Sequence, residues 1–133
     1  MPTLTTDLQA LTKLGKPSKP ERTLEVFPNK APANQMEVTI ECTEFTCFCP
    51  LTRQPDFAKV FITYMPDEFI VESKSLKLYL ESFREEGVFH EHLAVDIGKD
   101  FESMVKPLWV EVSVDFNIRG GIGICARYSS AME

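Results

Sequence analysis

The feature that most restricts this chain is the spacing of its apolar residues, which passes from a period of two to a helical period and back. From Met36 the pattern alternates strictly, with Met36, Val38, Ile40 and Cys42 on one face and Glu37, Thr39, Glu41 and Thr43 on the other. That is the signature of a strand buried on one side. A second strand is predicted from about Phe57 to Tyr64, with Ala58, Val60, Ile62 and Tyr64 facing in, and a short one at Phe69 to Val71. Leu76, Tyr79, Leu80 and Phe83 then recur at helical spacing up to Gly87. Leu93 or Ala94, Ile97, Phe101, Met104 and Val105 repeat it before Pro107. Two strands close the pattern: Val110, Val112, Val114, Phe116 and Ile118 share one parity, Gly120-Gly121 marks a hairpin turn, and Ile122, Ile124, Ala126 and Tyr128 share the next.

The order ββ-αα-ββ predicts an α+β domain, with two helices on one face of an antiparallel sheet of about four strands. So small a sheet leaves long edges that copies of the chain can hide by pairing together, so a ring-like homo-oligomer is expected. A length of 133 residues suits a single domain. It is placed at 34–133, behind an N-terminal arm, 1–33, in which Pro17, Pro20, Pro28 and Pro32 interrupt any period. The net charge of −6 argues against a nucleic-acid backbone as direct partner, since that would call for a basic face. The polar start carries no secretory pattern, and no apolar run reaches the roughly twenty residues that cross a bilayer. A cytoplasmic location with reduced thiols is expected.

Chemistry concentrates between Cys47 and His92. Cys49 precedes Pro50, and Asp56 follows Pro55, so the segment 44–57 reads as a stiffened loop that can fold the acid back beside the sulfur. A loop thiol can be a nucleophile and a neighbouring carboxyl a proton donor. The plainer alternatives are a small buried hydrophobe and a turn-capping aspartate. Cys42, on an inward parity, fits the plain reading; Cys125 falls on the parity opposite to Ile124 and Ala126. Cys47 and Cys49 with His90 or His92 would be an irregular zinc set, and the two thiols could also form a reversible disulfide.

Lys74 and Lys77 fall in the first turns of a helix whose N-cap is read as Ser73, where cations oppose the helix dipole unless an anion binds. Together with the helix N-terminus they suit a phosphate, and Arg119 could add a third positive charge; an ordinary solvated lysine pair is the alternative. Glu72 and Glu91 stand near helix starts, where the dipole stabilises a carboxylate, but either could instead accept the two parallel N–H bonds of a guanine-like edge. His90 could orient a substrate or relay a proton, and His92 reads as a surface residue. Gly120-Gly121-Ile122-Gly123 lies between two strands and is no dinucleotide fingerprint.

From about Glu41 to Gly121 the chain resembles the NADPH-dependent nitrile reductases that convert 7-cyano-7-deazaguanine to 7-aminomethyl-7-deazaguanine in queuosine biosynthesis, in their single-module form. The resemblance rests on Glu-Phe-Thr-x-x-Cys-Pro-x-Thr-x-Gln-Pro-Asp-Phe (44–57) and Glu-Ser-Lys-Ser-Leu-Lys-Leu-Tyr (72–79), with Phe-His-Glu (89–91) and Arg-Gly-Gly (119–121) behind them. It implies the tunnelling fold, in which strands of several subunits close into a barrel and sites form between subunits, here a decamer of two pentamers. It further implies Cys49 as the nucleophile that forms a thioimide and Asp56 as the general acid. Val71, Glu72, Ser73, His90 and Glu91 would bind substrate, Lys74, Lys77 and Arg119 would hold NADPH phosphates, and no metal would be needed. The alternatives are a zinc-dependent pteridine enzyme of the same fold, similar to a GTP cyclohydrolase, and a non-catalytic deazapurine-binding protein.

Overall fold

Residues 1–15, 18–32 and 34–131 are described by a computed structural model; Pro17, one of the arm's prolines, lies outside them. The elements in chain order are α1 (Thr5–Leu8), β1 (Val26–Pro28), β2 (Val38–Phe48), β3 (Pro55–Met65), β4 (Phe69–Val71), α2 (Ser73–Glu81), α3 (His90–Val105), β5 (Trp109–Arg119) and β6 (Ile122–Ser129). An antiparallel four-stranded sheet has the order β2-β3-β5-β6, and β1 pairs with β4 in a separate two-stranded ribbon. The expected ββ-αα-ββ core is therefore present, with β2 and β6 as its edges.

Alternation identified the buried face correctly. Ala58, Val60, Ile62 and Tyr64 of β3 and Val110, Val112, Val114 and Phe116 of β5 are all buried, beneath Leu93, Ala94, Ile97, Phe101 and Val105 of α3. Both Leu93 and Ala94 turn inward. Each large side chain fully removed from water here contributes roughly 1.5–3 kcal/mol, which holds helix to sheet. The Tyr64 ring meets Phe101 edge-on at 4.8 Å, and its hydroxyl accepts the Val71 N–H at 3.1 Å, so the buried phenol keeps a polar partner.

The structure also departs from the pattern. β2 continues to Phe48, because an irregularity between Cys42 and Phe45 switches its inward parity, and Phe45 and Cys47 beyond it are buried. Residues 44–48 are thus strand and not loop. A second irregularity, between Phe116 and Arg119, releases the hairpin tip from the helix layer, leaving Ile118 and Ile122 exposed. The turn is as expected: Gly120 and Gly121 have φ of 59° and 78°, which glycine adopts without steric cost. The cap of α2 is Glu72 and not Ser73, since the Glu72 carboxylate accepts the backbone N–H groups of Lys74 and Ser75. β1, inside the aperiodic arm, pairs Val26 with Val71 and Pro28 with Phe69. Among the described residues no helix is long and apolar enough to cross a membrane.

α3 and β6 approach closely at Gly98, where a Cβ would overlap the body of the Tyr128 ring. In an open helix, Gly→Ala would stabilise by about 1 kcal/mol. Gly98→Ala is instead expected to destabilise by about 1–3 kcal/mol through overpacking, read as a lowered denaturation midpoint.

Candidate active site

Asp56 is the first inward residue of β3, 2% exposed and in register with Cys47 of β2. After Phe48 the chain leaves the sheet and returns: the Cys49 N–H donates to the Gln54 carbonyl and the Arg53 N–H to the Cys49 carbonyl, both at 2.9 Å. These bonds turn the loop back, placing Cys49 at the same end of the β2–β3 pair as Asp56. A parallel bridge joins Phe48 to Gly87, with Phe48 N–H to Glu86 O at 2.8 Å and Val88 N–H to Phe48 O at 3.1 Å. A Cβ on residue 87 would lie 2.9 Å from Pro50 Cα, so glycine is what lets the two segments touch. The clasp sets the start of α3 beside the cysteine loop.

His90, the first residue of α3, stacks on Phe116 of β5 with ring centroids 3.6 Å apart and planes 8° from parallel. The stack aims Nε2 at Asp56 Oδ2, 3.1 Å away. From the end of β5, Arg119 donates to Asp56 Oδ1 and also to the Gln54 side-chain carbonyl. Both carboxylate oxygens are thereby engaged, one by each of two separate elements.

The two neighbouring thiols are driven apart. Cys49 is half-buried, and its pKa is held below the ordinary thiol range by the Thr52 hydroxyl first, then by the backbone N–H groups of Thr52 and Leu51. Those donors outweigh partial burial and the Asp56 charge, which oppose them. Cys47 is fully buried, and burial first, then Asp56 and Cys49, push its thiol up to about 12. Only Cys49 combines access with thiolate character, as a nucleophile requires. Cys42 is half-buried and packs against the core, and Cys125 is exposed. Among the described residues no three His, Cys, Asp or Glu side chains gather as a metal ligand set, so Cys47, Cys49 and a histidine do not assemble one.

The remaining expected residues fall into two groups. Glu91, in the first turn of α3, is exposed beside His90, and His92 lies edge-on to Phe89 at 5.9 Å. Val71, Glu72 and Ser73 lie elsewhere, where the Val71 N–H meets Tyr64. From Asp56 to Tyr64 is eight residue steps along β3, about 27 Å at roughly 3.4 Å each. Ser73 and Lys77 line a cavity of about 440 Å³ between α2 and the edge strand β2, with Val38, Ile40 and Arg84. Lys74 lies one helical turn before Lys77, whereas Arg119 belongs to the Asp56 group and not to the lysines. The N-terminus of α2 already holds an anion, the Glu72 carboxylate. Thr52, Gln54, Gly87 and Phe116 were not singled out as site residues, although Thr52 and Gln54 stand inside the 44–57 motif, Gly87 at a helix stop and Phe116 on an inward parity.

The sheet with helices on one face and the thiol-carboxylate-imidazole group define an α+β protein of the tunnelling fold with an enzyme-like site at one end. The fold is shared with a solved archaeosine synthase described as QueF-Like, at a TM-score of 0.70 and 24% identity, covering 78% of this chain and 99% of that one. The sequence model of the QueF-like protein family matches residues 55–133. Similar relatives include two proteins named NADPH-dependent 7-cyano-7-deazaguanine reductase. The one from Syntrophus aciditrophicus is 53% identical over 118 residues, 89% of this chain and 84% of the relative. That from Frankia casuarinae is 52% identical over 125 residues, 93% and 98% of the two chains. The chain belongs to the QueF-like family.

The Thr52 hydroxyl leads the lowering of the Cys49 pKa, so alkylation of Cys49 should rise with pH to a plateau whose midpoint lies below that of an unperturbed thiol. Removing that donor destabilises the thiolate, so Thr52→Val is expected to move the midpoint upward, measured with a small alkylating reagent across pH.

Proposed function

We propose that this protein reduces the nitrile of 7-cyano-7-deazaguanine to the primary amine of 7-aminomethyl-7-deazaguanine, with NADPH as reductant, in the cytoplasmic biosynthesis of queuosine for tRNA modification. The observation that carries the reading is a thiol with lowered pKa beside a buried Asp56–His90 pair. The names and roughly even identity of the relatives supply the substrate.

A nitrile resists direct hydride attack, so a prior covalent step divides one hard reaction into easier ones. The Cys49 thiolate bonds to the nitrile carbon, one π bond of the triple bond opens, and the nitrogen takes the proton that Asp56 Oδ2 shares with His90 Nε2, delivered from the Asp56 carboxyl, giving a thioimide and leaving Asp56 a carboxylate and His90 neutral. Arg119 keeps the Asp56 carboxyl aimed while that proton moves. His90, fixed by its stack on Phe116, replaces the proton from solvent. Glu91 accepts the ring N–H and exocyclic amine of the deazaguanine. When bound, NADPH supplies hydride, and two equivalents are needed because nitrile to amine is a four-electron reduction. Lys74 and Lys77 are suited to its phosphates by charge; because Glu72 occupies the N–H groups of α2, ammonium groups would do the holding there.

One chain presents the parts of this site at opposite ends, so a single substrate would meet Cys49, Asp56, His90 and Glu91 of one copy and Val71, Glu72 and Ser73 of a neighbour. Exposed Leu51, Phe57, Phe89, Ile118 and Ile122 all lie close in sequence to residues of the catalytic end, and a neighbour covering them would also exclude water that hydrolyses a thioimide. The edges β2 and β6 suit pairing between copies, closing a ring of five, with two rings forming a decamer.

The test is to mix protein and nitrile without cofactor and record the intact mass, then add NADPH and count its oxidation. An added nitrile mass on Cys49 and two NADPH oxidised per amine are expected. Cys49→Ala should lose the adduct and all turnover, while Asp56→Asn should slow turnover by about 10²-fold or more with nitrile binding little changed. Full reductase activity in Cys49→Ala would refute the covalent route.

A further inference from the structure

One residue, Glu25, contacts both the N-terminal arm and the segment around Glu72, the first with its side chain and the second with its backbone. Glu25 sits at the start of β1, and its side chain is only 10% exposed. Its carboxylate accepts the Thr12 N–H at 3.0 Å to both oxygens, the Thr12 hydroxyl at 2.6 Å and the Lys13 N–H at 3.2 Å. The Lys13 ammonium lies 3.9 Å away, itself nearly buried and 3.1 Å from Glu21. These donors come from the segment that follows α1, so the carboxylate gathers the arm onto β1.

The backbone of the same residue grips the other side. The Glu25 carbonyl accepts the Glu72 N–H at 2.8 Å, and the Glu25 N–H donates to the Ser75 hydroxyl at 2.9 Å. That hydroxyl, fully buried, donates in turn to the Glu72 carbonyl at 2.8 Å. Glu72 then closes the set by capping Ser75 N–H at 2.9 Å. Met1, Pro2, Asp7 and Leu11 of the arm line a second cavity, of about 520 Å³, together with Glu72 and Ser73. Glu25 thus links the arm, β1 and the first turn of α2 by hydrogen bonds, beside a second tie in which Lys30 holds Asp7 and the Pro2 carbonyl.

We propose that Glu25 is a positioning residue: by latching the N-terminal arm onto β1 it fixes the backbone of Val71, Glu72 and Ser73, and so sets the affinity for the nitrile without touching it. The proposal rests on the reading that this segment meets the substrate. A latch of charge-assisted bonds on a short two-stranded ribbon is a local element, able to loosen while the sheet and α3 stay packed. Its loss should raise KM far more than it lowers kcat, because Cys49, Asp56 and His90 are held by other contacts.

The test uses the full chain carrying Glu25→Ala, Glu25→Gln and, from the arm side, Thr12→Val, which leaves Glu25 in place. Amide exchange of the 71–76 segment and steady-state kinetics against the nitrile are measured on each. Glu25→Ala is expected to speed exchange at Glu72 and Ser75 and to raise KM about tenfold with kcat within about twofold. Glu25→Gln, which keeps the shape and the acceptor oxygen, should recover part of both effects, and Thr12→Val should show them weakly. Exchange at Glu72 unchanged in Glu25→Ala, or in Thr12→Val should the alanine variant not fold, overturns the latch. Faster exchange with unchanged KM keeps the latch and overturns instead the placement of Val71–Ser73 against the substrate.

Discussion

The end of the sheet that carries Cys49 is organised by one buried carboxylate, Asp56. Asp56 has almost no contact with water, and a buried charge persists only where partners replace the lost hydration. Those partners are His90, at the start of α3, and Arg119, at the end of β5. Satisfying Asp56 therefore ties together a helix, a hairpin and the end of the central strand pair. Arg119 extends the tie to Gln54, whose own carbonyl holds the Cys49 N–H, so the same network reaches the cysteine loop. The loop that carries Cys49 is thus tied to a residue seven positions away.

The pair Cys47 and Cys49 shows how local surroundings separate chemically identical groups. Both lie near Asp56, whose charge raises each thiol, yet burial dominates at Cys47 and hydrogen-bond donors dominate at Cys49. One is a core residue of β2 and the other a loop thiol whose pKa is lowered by its hydrogen-bond donors. The bulge in β2 creates this division: by switching parity after Cys42 it turns Cys47 into the core and lets the strand end one residue before Cys49.

Much of this was legible because it rests on periodicity. The inward residues of β3 and β5, the faces of both helices and the glycine turn follow from spacing alone, since each repeats one local rule. The nearness of Cys49 and Asp56 was readable from the two prolines between them. The bulge was not, because polar Thr43 and Glu44 give no sign of where parity changes. β1 is three residues long and contains Pro28, too short for any period. Thr52 acts through a hydroxyl inside its own loop, and the His90–Phe116 stack joins residues that only the folded sheet brings together. Glu72, and not Ser73, is the helix cap, its carboxylate accepting the N–H groups of Lys74 and Ser75 at once. The family motifs give no sign that Val71–Ser73 and Cys49 stand at opposite ends of β3.

On the proposed function, pairing between copies along the exposed edges would bring Val71–Ser73 of one chain to the Cys49 end of another. The decisive measurement is a crystal structure of the protein treated with 7-cyano-7-deazaguanine in the absence of NADPH. The expected result is continuous density from Cys49 Sγ to the former nitrile carbon, with its nitrogen within about 3.2 Å of the Asp56 carboxyl. A ligand bound without a bond to Cys49, or attached with its nitrogen turned away from Asp56, would contradict the account.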